Sequence, residues 1–271
     1  MAQKIRLGGM ALENGVLVHG PRHWACAVRT EDGDVALTSG RKPLRAVDLP
    51  PAIQGPARLA EVFALLPAVR RALPQARLPY ERPGVLAGLV GSAVAVRRLR
   101  RSTRIAPALQ EGAAALLSLA PAALAMRSAE LAAYHGAEHI SIGSYEHGRP
   151  RPREHERCGS HLVGPILVTS VLGGLVARAA PPAARPLARL AAAGGSLAAS
   201  VELFSWMVKN QRNPLARALA RPGHFLQEHV LTAEPTTNQL EVAEAALEEC
   251  LRLESPADGG PLDDAEAAPP A

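Results

Sequence analysis

The sequence predicts an α+β chain that is mainly α-helical: a small N-terminal β-hairpin region, then a helical bundle with apolar helices fit for membrane insertion. Three observations lead there. Aromatic residues are only 3% of a chain that is 48% hydrophobic, so Leu, Ala and Val do the packing, and Ala- and Leu-rich segments favour helix. Glycines and short β-type runs cluster at the start of the chain, and four long apolar stretches separated by arginines and prolines follow.

Taken in order, Gly8 to Gly20 carries glycines around Val16-Leu17-Val18, where the glycines are expected to serve turns that let strands fold back. Trp24 to Arg29 reads as a strand, Glu31-Asp32-Gly33-Asp34 as a turn, and Val35 to Thr38 as the returning partner. Gly8-Gly9 and Gly15 are not a phosphate loop, because no G-K-[ST] follows and no dinucleotide fingerprint opens a helix. Pro56 to Leu73 has apolar residues at helical spacing with Pro in the first turn, and a loop with Pro74, Pro79 and Pro83 follows.

The apolar stretches are Val85 to Val96, Gly112 to Met126, Leu162 to Ala177 and Leu190 to Val208. A spanning helix needs about 20 apolar residues, so the first two are short for a crossing. Charge favours a single hairpin, 162–180 with 186–208, which leaves the arginine cluster Arg97 to Arg104, the histidine-rich window and both termini on the cytoplasmic side. A wholly soluble or peripheral helical domain is the alternative. Beyond them, Asn213-Pro214 starts an amphipathic segment that Pro222-Gly223 should break before His224 to Val230. Thr237 to Leu253 forms an amphipathic helix. The predicted division is therefore 1–50, β-rich; 51–254, helical, carrying window 134–161 and apolar hairpin 162–208; and 255–271, a disordered acidic tail.

Thirty basic against 25 acidic residues give a net charge of +5. Three widely separated cysteines, Cys26, Cys158 and Cys250, argue against a disulfide framework and for a reducing compartment. The N-terminus lacks the apolar core of a secretory signal. Arg97 to Arg104 has no interleaved aromatics for base stacking, so nucleic acid is not expected as a partner, whereas adjacent apolar helices make membrane lipid the expected one. Protein partners and oligomeric state are not readable.

Five of the nine histidines and one cysteine fall between Tyr134 and His161. His135 and His139, four residues apart, share one face of a helix and can reach one ion. Glu138 completes H-x-x-E-H, in which the carboxylate is a general base. His155 and Cys158 form a second ligand pair on a loop after Pro150 and Pro152. Together the four make a ligand set that suits a divalent metal, zinc above all. Glu146, His147, His161 and Arg157 are spare ligands or supporting groups, and Glu202 is an ionisable residue in an apolar stretch that is expected to face the site.

An ordered series of motifs resembles the YqhQ-like bacterial family, domain of unknown function 1385. The matching stretches are Gly8 to Val16, His19-Gly20-Pro21, Ala25 to Arg29, Tyr134 to His139, Tyr145-Glu146, His155 to Ser160, Leu231 to Pro235 and Gln239 to Ala243. The resemblance implies a metal site and a membrane location and supplies no substrate. The expected function is a metal-dependent hydrolase at the cytoplasmic face of the membrane. Here His135 and His139, with one or both of His155 and Cys158, hold the ion while Glu138 accepts a proton. If all four bind, the shell closes and the alternative applies: a non-catalytic membrane-associated module with a structural metal.

Overall fold

Val16 to Val18 and Trp24 to Val28 are continuous apolar runs, the pattern of strands covered on both faces. In the computed structural model, which describes residues 4–45 and 51–255, they become the middle of a four-stranded antiparallel meander. Its strands are β1 (Gly8–Leu12), β2 (Gly15–His19), β3 (His23–Arg29) and β4 (Val35–Arg41), in that spatial order. The predicted β3–β4 hairpin is present, turning through Gly33 at φ +89°. Two strands precede it; the glycines expected at turns between strands lie within them, Gly8 and Gly9 in β1 and Gly15 at the start of β2.

Side chains alternate across the sheet. Leu17, Trp24, Cys26 and Val28 pack on Leu65, Leu66 and Val69 of α1 (Pro51–Ala72). Val16, Val18, Ala25 and Ala27 face α4 (Ala129–His147) and α8 (Thr237–Glu254), meeting Leu131, Tyr134, Val242 and Ala246. The sheet is thus covered on both faces, by α1 on one and by α4 and α8 on the other, each with its own buried cluster. Cys26 and Cys250 are buried free thiols, each pushed up to about 12 chiefly by burial.

Asn14 in the β1–β2 turn donates to the carbonyls of Arg29 and Gln75 (3.0 and 3.1 Å) and accepts from the Arg77 amide (2.9 Å). Lys42 pairs with Glu61 of α1 at 3.1 Å. α4 starts at the Ser128 cap and ends at Gly148, φ +66°. α8 starts in a Thr236/Gln239 capping box.

The apolar stretches form α2 (Pro83–Arg101), α3 (Pro107–Ala125), α5 (Val163–Ala179) and α6 (Arg185–Lys209). Among the described residues three helical segments, 107–125, 159–179 and 185–209, are long and apolar enough to cross a membrane. The second stretch, expected to be short, reaches that length because Pro107 starts its helix five residues early.

α2–α3 and α5–α6 are hairpins packed side by side through α3 and α5. Arg100 holds Glu111 across the first tip (2.8 Å), and Arg178 donates to Gln110 to join that tip to the second (2.5 Å). Both tips therefore lie at one end. A crossing by 162–208 alone, with Arg97 to Arg104 left on the histidine side, does not fit this arrangement.

α7 (Pro214–Leu226) continues through Pro222-Gly223, which does not break it. Gly223 lies against the backbone of Ser160 and His161, where a Cβ would come within 2.7 Å of the His161 Cα, so packing holds the pair helical. A π turn, Gln227–Leu231, follows. The tail expected over 255–271 lies, from 256 on, outside the described residues.

Candidate metal centre

Tyr134 to His139 lies within α4, as the spacing requires. His135 and His139 stack one turn apart with ring centroids 4.3 Å from each other. Each ring is fixed by a backbone carbonyl: His135 Nδ1 lies 2.9 Å from Leu231 O, and His139 Nδ1 lies 2.6 Å from Arg153 O. A carbonyl only accepts, so each Nδ1 carries the proton and each Nε2 presents a lone pair.

Both lone pairs meet Cys158, whose Sγ is 3.6 Å from His135 Nε2. The ligand atoms of His135, His139 and Cys158 all lie within 4.8 Å of one another. Glu138 closes the group with Oε2 3.9 Å from each of the two Nε2 atoms. Two histidines, one cysteine and an adjacent carboxylate are a donor set for a zinc-like ion.

Two glycines make this arrangement possible. A Cβ on Gly136 would overlap Ala233 O, so its absence lets 231–233 lie against α4, where the Ala233 amide bonds Ala132 O (2.9 Å) and Leu231 O reaches His135. A Cβ on Gly9 would overlap the Glu138 carboxylate. Gly9 therefore serves the site from within β1 rather than a turn.

Burial sets the protonation states. It holds His139 down to about 2, with neighbouring His135 adding to the effect. The ring is neutral, the form that binds metal. Glu138 is raised by the same desolvation, opposed by His135 and His155. Burial also raises the Cys158 thiol, while hydrogen bonds from Ser160 pull it back.

His155 stands beside the group, its ring centroid 5.5 Å from that of His139. Its nitrogens are engaged elsewhere: Nε2 pairs with Glu146 Oε2 at 3.0 Å, and Nδ1 faces the Arg157 amide at 3.4 Å. Glu146 also contacts the Arg157 guanidinium. Of the four predicted ligands three converge, and His155 is tied into a carboxylate–histidine–arginine network alongside. His161 is buried against Gln227 (3.2 Å) and edge-on to His224. His147 is exposed and bonds back to Gly143 O. Glu202 is exposed on α6 and joins none of these contacts.

Gln227 has no signal in the sequence, yet it is fully buried and organises the loop that carries Cys158. Its Oε1 accepts from the His155 amide (2.8 Å), and its Nε2 donates to Ser160 Oγ (2.8 Å) and His155 O (3.2 Å). A cleft of about 520 Å³, lined among others by Glu13, Arg29, Arg77, Arg82 and Tyr134, contains none of the three converging residues.

The segment that builds this centre is the one shared with known proteins. Residues 122–253 match a family described as protein of unknown function (DUF1385). An uncharacterized protein, YqhQ of Bacillus subtilis strain 168, is 33% identical over 130 residues, covering 45% of this chain. The chain spans 41% of that relative's length. No solved structure matches. The two matches support the family resemblance carried by Y-H-G-A-E-H and the motifs around it.

Proposed function

We propose that the chain is a metal-dependent, zinc-type hydrolase at a membrane, with His135, His139 and Cys158 holding the ion and Glu138 as general base. One observation carries the reading. Both histidine Nδ1 atoms are occupied by carbonyls, which aims two Nε2 lone pairs, a sulfur and a carboxylate into one space. Three protein ligands leave a fourth position for water or substrate, as catalytic sites require.

A divalent ion held there would supply Lewis acidity and make a nearby water acidic. Glu138 is placed to take a proton from that water and pass it to a leaving group. Its desolvated carboxylate is more basic than an exposed one, as a general base working near neutral pH should be. The Glu146–His155–Arg157 network positions the loop that carries Cys158 and offers Arg157 to an anionic substrate group. A thiol ligand is best kept reduced in the cytoplasm, so in this reading the site faces that compartment.

A second reading rests on His155. If its ring leaves Glu146 for the group, four protein ligands close the shell and the metal is structural. Metal analysis of purified wild type, His135→Ala, His139→Ala and Cys158→Ala tests the site itself. Near-stoichiometric metal in wild type and its loss from folded variants is expected; metal-free wild type after zinc reconstitution overturns the reading. Visible spectra of cobalt-substituted protein then separate catalysis from structure. An Nε2, Nε2, Sγ set with solvent supports the hydrolase, and a solvent-free site that changes in His155→Ala sinks it.

A further inference from the structure

We propose that α2, α3, α5 and α6 form one bilayer-embedded unit, so that the arginine-rich tip and the metal group face opposite sides of the same membrane. α2, not apolar enough to span by itself, packs on α3 and exposes Leu89 and Val90, and the other three helices, α3, α5 and α6, have the polarity of a soluble bundle reversed. Their buried positions include Gln110 (0% exposed), Glu111 (1%) and Ser200 (0%), whereas Leu116 (59%), Leu172 (58%), Val176 (73%) and Leu190 (71%) point outward. In water that pattern exposes a large apolar surface. In hydrocarbon it is the stable one, because lipid covers the apolar side chains and polar groups find partners inside.

Partners are present for these groups, Glu111 Oε1 excepted. Glu111 is held by Arg100, and its methylene and carboxylate lie against Gly174, where a Cβ would come within about 2.5–2.8 Å. Thr169 bonds Ser196 O and Ser200 Oγ between α5 and α6 (3.0 and 2.8 Å). At 1.5 Å per residue the 19 residues of α3 are about 28 Å long and the 17 of α5 about 26 Å. A hydrocarbon core is about 30 Å thick. α6, with 25 residues, is about 38 Å long, which sets exposed Glu202 near the headgroups on the Lys209 side. Arg98 and Arg101, exposed in the last turn of α2, can extend to the opposite headgroups along their own stems, while Arg100 stays on Glu111.

Sidedness follows from the tip contacts. Arg100–Glu111 and Arg178–Gln110 hold both tips together. Cys158 immediately precedes the apolar segment 159–179 at its other end. The metal group therefore sits at one membrane surface and residues 102–106 at the other. Both ends are basic, with Lys209 and Arg212 on the side of the metal group, so arginine counts do not set the orientation and labelling must read it.

The experiment uses the full chain in cell membranes. Spheroplasts carrying Thr103→Cys (tip) or Asp32→Cys (the exposed β3–β4 turn) are treated with a membrane-impermeant maleimide before and after lysis, with the unsubstituted chain as background. We expect Thr103→Cys to label before lysis and Asp32→Cys only after it. The reverse order supports opposite faces and overturns only the cytoplasmic orientation given above. Labelling of both from one side, or release of the unsubstituted chain by alkaline carbonate, overturns the inference. Ser102→Cys and Glu31→Cys repeat the test should either first variant fail to accumulate. Metal content measured on the same membranes reports separately on the metal reading.

Discussion

Replacing Gln227 by Ala should loosen the centre without touching a ligand. The change strips the acceptor from the His155 amide and the donor from Ser160 Oγ and His155 O. A buried amide left without a partner costs about 1–3 kcal/mol, and each further neutral bond lost costs about 0.5–1.5 kcal/mol. Water entering the space vacated recovers part, leaving a loss of about 2–5 kcal/mol. At about 2–4 °C per kcal/mol for a domain of this order, the midpoint should fall by roughly 4–20 °C. Thermal unfolding in mild detergent, followed by circular dichroism with chelator present to remove metal linkage, measures it. Zinc affinity should fall in parallel, because residues 155–160 carry Cys158. A midpoint within about 2 °C of wild type, with unchanged zinc affinity, would refute the claim that this amide organises the loop.

Three further outcomes are expected. Gly9→Ala drives a methyl group into the Glu138 carboxylate and should cost about 1–3 kcal/mol while leaving zinc content intact; unaltered stability would show that the carboxylate does not depend on this contact. His19 is held down to about 4, first by burial and then by Lys42, against 6.5 unfolded. The unfolded chain therefore takes up the proton first, so this contribution is complete above about pH 6.5 and is lost as pH falls towards 4. It amounts to about 3 kcal/mol. Stability curves of wild type and His19→Gln should differ in slope across that window and run parallel above it. At the tip, Arg100→Ala leaves the buried Glu111 carboxylate without its counter-charge and should destabilise by about 3–5 kcal/mol. Glu111→Gln should cost less, because Arg100 keeps partial access to water; thermal unfolding of the two variants gives the order, and the reverse order counts against the pairing.

The chemistry-bearing residues were legible where type and spacing coincide. His135 and His139 at i, i+4, with Glu138 between them, could only share a helix face, and Cys158 on the following loop came within reach of them. His155 was legible as a ligand type but not in its pairing, because the sequence does not show that Glu146, nine residues earlier, claims Nε2. The anchoring carbonyls of Arg153 and Leu231 carry no side-chain signature at all. Gly9 and Gly136 were visible as glycines, yet close approach and turn formation leave the same letter in the chain. The bounds of β1 were hidden for that reason, since glycines at 8 and 9 lower strand propensity while leaving room for the groups packed on them. The shared tip of the two helical hairpins depends on Gln110 meeting Arg178 across 68 residues, a contact that periodicity does not encode.

The sheet occupies residues 8–41, but one of its faces is completed by α8, which ends at residue 254. During synthesis at about 5–20 residues per second, roughly 10–40 s pass between emergence of β4 and of its last covering helix. The apolar helices emerge within that interval, so they can pack, or enter a bilayer, while Val16, Val18, Ala25 and Ala27 still lack α8. The sheet is thus made well before the helix that finishes it. A chaperone that holds an incomplete sheet, or slow growth through the intervening helices, should therefore govern the yield of folded protein more strongly than any single stabilising contact within the sheet.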